Sequence, residues 1–373
     1  MRRVLHLLVD SSLRGGISRH VLNILCQLKK QAQSEYEFSV CTVFPKGELN
    51  EALESIGIRT YSLGANNFNH VGVFCSFGKV VRSVRPDIIH IHVITFWQWI
   101  YLALFGWHIT KIFTIHSDYG RGTWKKRLMR CFLPLNIRKY IFVSNAVREA
   151  YDSNEFPGEV ILNCIPALAE VDRDALPREL QLPKGTRVIG TVCQISEVKR
   201  PKAFVSVMSQ ILVRYMDVHA VVLGGGEEEQ VRQLREIVDC YGVAKRFHFM
   251  GYRRDARELS AGLYVFVATS EREGLPTAML ESMSAGVPVA FMEGRGGLRD
   301  LARLNTGEKG PFGVTVADND EQALVEGVCD LLDDDNKYSE CSWNAVRVSR
   351  TEFDFETELR KLEHVYLEVG GQT

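Results

Sequence analysis

The most informative segment of the chain is Ser270-Glu271-Arg272-Glu273-Gly274-Leu275-Pro276-Thr277-Ala278-Met279-Leu280-Glu281-Ser282-Met283-Ser284-Ala285-Gly286-Val287-Pro288-Val289. It follows an apolar run, 264–268, that predicts a buried strand, and its last residues begin a second predicted strand. Gly274 lies in the loop between them, and Pro276 stands where we predict the first residue of a helix. The order strand, tight loop, helix, strand directs free backbone N–H groups and a positive helix end at one point, which predicts an anion site.

Two glutamates flank this junction, Glu273 before the predicted helix and Glu281 in its second turn. An ionised carboxylate only accepts hydrogen bonds, so sugar and ribose hydroxyls are its natural partners. Together with the anion site, the pair predicts a ligand that carries both hydroxyls and phosphate. The alternative is structural, because acidic residues near the start of a helix are favourable without any ligand.

The composition indicates a globular protein of about two domains, at roughly 100–200 residues per domain. The 373 residues are 46% hydrophobic and 24% charged, and the net charge is −1. The charge is unevenly spread, since residues 1–170 hold 20 Lys and Arg against 13 Asp and Glu. This basic N-terminal half indicates either an anionic partner, such as a phosphorylated acceptor or a membrane surface, or only a difference in solvated faces.

The nine cysteines form no CxxC pair, which predicts small buried side chains in a reducing compartment. We find no metal-ligand cluster in the sequence and no N-terminal apolar run long enough for a signal peptide. Residues 88–109 contain no Asp, Glu, Lys or Arg and would just span a bilayer. Because His90 and His92 interrupt this run, we interpret it instead as a strand, 88–93, and a largely buried helix, 96–105.

Predicted strands alternate with helices along both halves, which indicates parallel βαβ units. The strands are expected near residues 4–9, 38–43, 88–93, 112–115, 141–143 and 160–162, and then near 188–192, 220–223, 247–249, 264–268 and 287–292. The proline-containing stretch 164–186 is predicted to be a linker. We therefore expect an α/β fold of two doubly wound Rossmann-like domains facing a cleft, at 1–168 and 187–352, with a C-terminal helix in 353–373 that crosses back to the first domain.

The chain resembles the family 4 glycosyltransferases, which are retaining, nucleotide-sugar-dependent enzymes of the B-type two-Rossmann fold. The resemblance covers nearly the whole chain, and its most specific element is Glu273-x7-Glu281 with the residues around it. The supporting segments are weak one by one but stand in the family's order: Gly15-Gly16 with Arg19-His20-Val21-Leu22-Asn23, Arg85-Pro86-Asp87-Ile88-Ile89-His90-Ile91-His92, Thr114-Ile115-His116, Val143-Ser144 and Lys199.

The resemblance implies a donor site in the C-terminal domain. Glu273 would contact the donor sugar near the reacting carbon, and Glu281 would contact the nucleotide ribose. Lys199 would stabilise the diphosphate as negative charge develops on it during the reaction. The other donor-binding residues implied are Gly16, Gln194, Gly274, Leu275, Pro276 and Thr277.

One position departs from the family pattern. The family usually has an arginine five residues before the lysine, and here that position is Gln194. The departure removes one cation from the expected pair at the diphosphate. Arg200 is adjacent to Lys199, but we expect its side chain to point elsewhere.

In the N-terminal domain, the resemblance places His116 near the donor sugar, as a catalytic residue beside Glu273 and Lys199. Arg14, Gly15 and His20 are the implied neighbours of the acceptor. Retention in this family is pictured as a front-face reaction in which the leaving phosphate helps to deprotonate the acceptor, so no general base is expected from the protein. No metal and no cofactor is expected, because Lys199 and helix N-termini would neutralise the charge of the nucleotide sugar.

The region Arg121–Arg130 combines basic and apolar side chains, with Trp124, Leu128 and Phe132 four residues apart. It is either a helix that docks on an anionic membrane to reach a lipid-linked acceptor, or an ordinary helix with its apolar side in the core. We expect a cytoplasmic protein, at the inner face of the membrane if it docks, that acts in cell-surface polysaccharide or lipopolysaccharide synthesis and binds no nucleic acid. The alternatives are a catalytically silent nucleotide-sugar-binding partner protein, and a sugar-nucleotide epimerase or hydrolase on the same fold.

Overall fold

The computed structural model describes residues 1–30, 35–66, 73–93, 95–117, 136–151, 154–166, 168 and 170–371. These residues form two compact units, the first comprising 1–163 with 356–373 and the second comprising 164–355. The strands are β1 Arg2–Leu8, β2 Tyr36–Thr42, β3 Arg59–Ser62, β4 Ile88–Ile91, β5 Thr110–Ile115, β6 Ile137–Phe142, β7 Gly158–Val160, β8 Arg187–Val192, β9 Val218–Leu223, β10 Phe247–Phe249, β11 Val265–Ala268, β12 Arg272–Glu273, β13 Val289–Met292, β14 Arg295–Gly296 and β15 Gly313–Val316.

The helices alternate with these strands. They are α1 Gly16–Lys30, α2 Glu48–Ser55, α3 Phe74–Val84, α4 Phe96–Phe105, α5 Asn145–Glu149, α6 Ala175–Glu179, α7 Pro201–Arg214, α8 Glu228–Cys240, α9 Ala256–Ser260, α10 Thr277–Ser284, α11 Gly297–Asn305, α12 Glu321–Asp333, α13 Asp335–Glu352 and α14 Phe355–Gly370.

The first unit is built on a seven-stranded parallel sheet in the order β3-β2-β1-β4-β5-β6-β7. Its central strands are nearly continuous apolar runs, as expected where helices cover both faces of a parallel sheet. The C-terminal helix α14 belongs to this unit. Tyr366 on α14 is fully buried, and its hydroxyl lies 2.7 Å from His90 Nδ1 on β4.

The second unit is built on a six-stranded parallel sheet in the order β10-β9-β8-β11-β13-β15. A separate two-stranded parallel pair joins β12 to β14. This pair lies in the loops that follow β11 and β13, at the carboxyl edge of the main sheet. Ligands of doubly wound sheets bind at this edge.

The expectation of two doubly wound parallel sheets is confirmed, and the domain bounds read from the sequence stay a prediction. The prediction missed the two-residue strands β12 and β14 and, in the main sheets, the edge strands β3 and β15. Both edge strands pair with one neighbour only, and most of their residues are partly exposed, so neither shows the apolar run of a central strand. The predicted linker was wrong in part, because it contains α6 and its Leu176 is fully buried in the second unit.

Residues 88–109 contain β4 and α4 and end just before β5, as the core interpretation of this run predicted. Helix α4 begins after Thr95, whose side chain and that of Gln98 form a capping box, and it ends before Gly106. No helix within the described residues is both long enough and apolar enough to cross a membrane. The eight described cysteines are free thiols, of which Cys75 and Cys240 are exposed rather than buried.

Candidate functional site

Hydrogen bonds join two loops at the carboxyl edge of the second sheet, the loop after β8 and the loop after β11. The backbone N–H of Glu271 donates to the carbonyl of Val198 at 2.8 Å. The hydroxyl of Thr269 donates to the carbonyls of Lys199 and Arg200 at 3.0 and 3.1 Å. The loop after β8 is therefore held against the loop after β11, which brings the side chain of Lys199 to Glu273.

Lys199 and Glu273 form an ion pair through Nζ and Oε1. The Ser270 hydroxyl donates to the same carboxylate oxygen at 2.8 Å. The two charged side chains are only 25% and 18% exposed, so water screens them weakly. Burial alone would lower the pKa of Lys199, but the charge of Glu273, its hydrogen bond to the ammonium and a smaller contribution from Cys193 together outweigh burial and raise that pKa, so Lys199 is a cation at neutral pH.

Arg200, the residue after Lys199, does not join the Lys199–Glu273 pair, as expected from the sequence. Arg200 forms an ion pair with Asp318, in which Nη2 lies 3.3 Å from Oδ2. Its backbone is left-handed, with φ at 48°, and it precedes the first turn of α7. Gln194, which replaces the family's arginine, is exposed just beyond the end of β8.

Glycines let the loop that carries Glu273 pack on the loop after β13. A Cβ at Gly297 would stand 2.5 Å from the carbonyl oxygen of Gly274, and a Cβ at Gly294 would stand 2.6 Å from that of Ser270. The N–H of Gly297 donates to that Gly274 carbonyl at 3.1 Å. Gly294 and Gly297 were not predicted as site residues, although a cluster of three glycines in 293–297 is a signal for close backbone approach.

Helix α10 begins at Thr277, so the prediction that Pro276 is its first residue was wrong by one position. Pro276 is the N-cap, because its ψ of 79° is not helical while its carbonyl already accepts from Leu280 N at 3.2 Å. The proline side chain has no group that could cap the helix, and the described part of the chain shows no side-chain cap hydrogen bond at this start. The predicted donor-binding residues Gly274, Leu275, Pro276 and Thr277 therefore form one continuous turn that leads into the positive end of α10.

Glu281 lies in the second turn of α10 and is 9% exposed. Its Oε1 stands 3.7 Å from Nε of Arg257 on α9, which is a loose ion pair without hydrogen-bond geometry. Arg257 also donates to the carbonyl of Pro166. Arg257 was not predicted as the partner of Glu281, because the spacing of the two residues along the chain carries no signal for the contact.

In the first unit, the predicted acceptor residues lie at the start of α1. Helix α1 begins at Gly16, and a Cβ at Gly15 would meet Asp10 Oδ2 at 3.8 Å. Arg14 and Gly16 are exposed, and His20 is half-buried. The ring of His20 lies 6.3 Å from that of His116, so the structure brings these two predicted site residues together.

His116 directly follows β5 and contacts a buried group of histidines. Its Nε2 lies 3.2 Å from His92 Nδ1, and His92 Nε2 lies 2.9 Å from His6 Nδ1. Burial and the neighbouring His20 lower the pKa of His116 to about 3, so the ring is neutral at physiological pH. The sequence showed no metal-ligand cluster, but the fold assembles one candidate, since ligand atoms of His6, His90 and His92 lie within 4.8 Å of one another.

The basic region Arg121–Arg130, with Trp124, Leu128 and Phe132, lies outside the described residues. The described site residues thus form two groups. One, in the second unit, offers a cation, two carboxylates and an uncapped helix start. The other, in the first unit, offers a glycine loop and two histidine rings.

Two family models match the chain. The model for Glycosyltransferase Family 4 matches residues 14–167, and the model for Glycosyl transferases group 1 matches residues 172–348. Among curated proteins, a lipopolysaccharide core biosynthesis mannosyltransferase of Rhizobium meliloti, LpsB, is 26% identical over 68% of this chain and 71% of its own length. A 2-deoxystreptamine N-acetyl-D-glucosaminyltransferase of Streptomyces fradiae is 30% identical over 54% of this chain and 47% of its own length.

Solved structures show the same fold at low identity. Anabaena HepE, in complex with UDP and glucose, superposes with a TM-score of 0.82 at 18% identity and covers 99% of this chain and 100% of its own. Sucrose-phosphate synthase from Thermosynechococcus elongatus gives 0.78 at 18% identity, with 100% of both chains covered. The two family matches together span most of the sequence, and the chain therefore belongs to the glycosyltransferases that these models describe, those of family 4 and group 1.

Proposed function

We propose that this protein transfers a sugar, with retention of anomeric configuration, from a nucleoside diphosphate sugar to a hydroxyl of a glycan or lipid-linked saccharide. The observation that carries the proposal is the Lys199–Glu273 pair beside the uncapped start of α10. It joins one cation for a diphosphate and one carboxylate for sugar hydroxyls at the sheet edge where ligands of this fold bind.

Each group would act on a different part of the donor. The Lys199 ammonium and the first-turn N–H groups of α10 would stabilise the negative charge that develops on the leaving diphosphate. Glu273 would accept hydrogen bonds from hydroxyls of the sugar, and Glu281 from those of the ribose. Because Lys199 is paired with Glu273, a bound diphosphate would compete for the same ammonium and leave the Glu273 carboxylate more available to the sugar.

Residues of the first unit would contact the donor sugar and the acceptor. His116 would contact the donor sugar, and Arg14, Gly15 and His20 would meet the acceptor. We propose no general base, because the leaving phosphate can take up the acceptor proton, and no metal, because Lys199 and the start of α10 would neutralise the charge of the diphosphate. Gln194 leaves Lys199 as the main side-chain cation that we assign to the diphosphate, and substitutions at Lys199 should therefore be severe.

The relatives support a place in polysaccharide synthesis. LpsB is named for lipopolysaccharide core biosynthesis, and a Staphylococcus aureus relative, CapH, is a capsular polysaccharide biosynthesis glycosyltransferase that is 22% identical over 76% of this chain. We propose a cell-surface polysaccharide or lipopolysaccharide acceptor, reached in the cytoplasm at the inner face of the membrane. Docking through Arg121–Arg130 is part of the proposal, and unchanged vesicle binding after removal of the Lys125, Lys126 and Arg127 charges would remove it.

The first experiment is a calorimetric titration of the purified protein with UDP, GDP and ADP. Lys199→Gln is the test variant, and Arg200→Gln is the matched control, because each change removes one cation from adjacent positions. Selective binding of one nucleotide that Lys199→Gln weakens and Arg200→Gln does not would support the donor site. Binding of none of the three would overturn the proposal.

Transferase activity is tested separately, by detecting the product. The nucleotide that binds sets the class of donor sugar to offer, together with membrane lipid extracts or soluble oligosaccharides as acceptors. A glycosylated acceptor whose new linkage keeps the donor's anomeric configuration, read by NMR, is the expected result. Free sugar or an epimer formed without acceptor would instead indicate a hydrolase or an epimerase.

A further inference from the structure

A continuous chain of side-chain hydrogen bonds runs through the interior of the first unit and ends at His116. It starts at Thr114, whose Oγ1 lies 2.7 Å from His90 Nε2, and His90 Nδ1 lies 2.7 Å from the hydroxyl of Tyr366. That hydroxyl lies 3.3 Å from His6 Nε2. The chain then continues through the His6–His92 and His92–His116 contacts described above. All members before His116 are at most 4% exposed.

The histidines in this chain are neutral, which restricts where their protons lie. Burial lowers the pKa of His6 to about 3, and it lowers the pKa of His90 and of His92 well below the ordinary value. A neutral imidazole has one N–H donor and one acceptor nitrogen. Each contact between two rings holds one proton, so His6, His92 and His116 must all carry the proton on Nε2 or all carry it on Nδ1.

The contacts of Tyr366 select between these two states. O–H donors prefer distances near 2.7–2.8 Å, and N–H donors to oxygen prefer about 2.9–3.0 Å. The 2.7 Å contact with His90 Nδ1 suits the phenol O–H as donor, and the 3.3 Å contact does not suit donation of that proton to His6. His6 Nε2–H therefore donates to the phenol oxygen. His92 and His116 then carry their protons on Nε2 as well.

We propose that Tyr366 and the His6–His92 pair are positioning residues that hold His116 as the Nε2–H tautomer, with Nδ1 as its acceptor nitrogen. The consequence for catalysis rests on the proposed function, in which His116 contacts the donor sugar. His116 would meet a sugar hydroxyl as an acceptor through Nδ1. Tyr366 on the C-terminal helix α14 would thus affect the reaction through this hydrogen-bond chain.

A metal ion is a poorer explanation of the same histidines. The rings of His6 and His92 lie within 13° of parallel, and their facing nitrogens are 2.9 Å apart. That separation fits one shared proton, whereas a tetrahedral zinc at about 2.0–2.1 Å from each nitrogen would hold the two nitrogens about 3.3–3.4 Å apart. His90 and His92 also stack face to face, at 4.2 Å between ring centroids, so their in-plane lone pairs do not converge on one point.

The test is NMR of the full chain labelled with ¹⁵N in its histidine rings, at neutral pH. Ring signals are assigned by through-bond correlation to the backbone, and long-range proton–nitrogen correlations read the tautomer. We expect Nε2–H at His6, His92 and His116. Unlike tautomers among the three rings, or Nδ1–H at His116, would overturn the proposal. Displacement of the His6, His90 and His92 signals by one equivalent of Zn²⁺ would overturn it in favour of a metal site.

Variants test whether Tyr366 controls the tautomer of His116 at the end of the hydrogen-bond chain. Tyr366→Phe removes the acceptor of the His6 N–H, and we expect the single His116 tautomer to be replaced by two sets of ring signals. Tyr36→Phe is the matched control, because its ring lies 5.6 Å from that of Tyr366 but is not a member of the chain. The control should leave the His116 signals unchanged. Unchanged signals in Tyr366→Phe as well would overturn the role of Tyr366.

Steady-state kinetics of the same variants provide the last measurement. In a protein that transfers sugar, Tyr366→Phe is expected to lower kcat about tenfold, the loss of one net hydrogen bond, while KM for the donor stays within twofold. An equal fall in both variants would mark a packing effect and overturn the positioning role. The tautomer measurement does not need turnover, so a protein without transferase activity would overturn the proposed function and leave this inference intact.

Discussion

Acidification is expected to destabilise the first unit more than the second. His6 and His116 have pKa values of about 3 in the folded unit, and His90 and His92 have values well below the ordinary 6.5. In the unfolded chain all four rings return to about 6.5. Below that pH the unfolded state binds more protons than the folded state. Stability is therefore fully present above pH 6.5 and is lost as the pH falls from there toward 3.

The size of the loss follows from proton linkage. For one such ring, lowering the pH from about 7.5 to about 5.5 costs about 1–2 kcal/mol, because almost only the unfolded form gains a proton. Four rings cost about 5 kcal/mol over this interval, against a total stability of about 5–15 kcal/mol for a typical domain. Most carboxylates contribute little, since their ordinary pKa values lie near 4, and Glu363 on α14, whose pKa burial raises, acts in the opposite direction.

The assay is hydrogen exchange of the intact chain, read by mass spectrometry and corrected for intrinsic exchange rates at each pH. Peptides from β1 and β4 report on the first unit, and peptides from β8 and β9 report on the second. The second unit is the internal control, since burial also lowers the pKa of His219 and His248, but these are two half-buried rings and not four.

A variant tests the magnitude. His6→Gln removes one of the four titrating rings, so the pH-dependent loss in β1 and β4 should fall from about 5 to about 4 kcal/mol. The total stability at pH 7.5 is a separate quantity and is expected to be lower in this variant. The same free energy of exchange in β1 and β4 at both pH values would refute the reasoning, because it would mean that the four rings do not differ in protonation between the folded and unfolded states.

Three further predictions concern the second unit. Lys199→Gln and Glu273→Gln should each lower kcat about 10²–10³-fold, and the double variant should lose much less than the product, because the pair acts together; losses that multiply in steady-state kinetics would contradict this. Glu281→Gln should weaken nucleotide binding about tenfold in calorimetry through loss of charge-assisted hydrogen bonds, and equal affinity would exclude the ribose contact. Gly297→Ala should destabilise the unit by about 1–3 kcal/mol in denaturant unfolding, because its Cβ would stand 2.5 Å from the Gly274 carbonyl. Gly225→Ala is its control, since its nearest neighbour is 3.5 Å away, and equal stability of the two variants would refute the steric argument.

Local sequence signals predicted the elements that carry strong local chemistry. Helix α4 was predicted with its observed bounds, and the structure shows local chemistry that sets them, since Thr95 and Gln98 form a capping box and Gly106 follows the last turn. The central strands were predicted because burial on both faces makes them apolar throughout. The strands β3 and β15 were missed because an edge strand is only partly covered and needs no such run.

The candidate site shows the same division between local and long-range information. Motif and spacing identified Lys199 and Glu273 separately, but their ion pair joins residues 74 positions apart and depends on loop contacts that no local pattern encodes. The glycines at 294 and 297 were readable as a signal for close approach, yet only the fold shows which carbonyls they approach.

The buried histidine chain is the extreme case of this dependence. Alternation placed His90 and His92 on one face of a strand, and an apolar run placed His6 in another strand, but only the β1–β4 register sets His6 beside His90. The closing member, Tyr366, lies 360 residues from His6 and looks in sequence like one more core residue of an amphipathic helix. A buried phenol and three buried imidazoles would each be costly alone, because a polar group without a partner loses its hydration. They are tolerated together because each supplies the donor or acceptor that the next requires, and this mutual requirement fixes the proton positions along the whole chain.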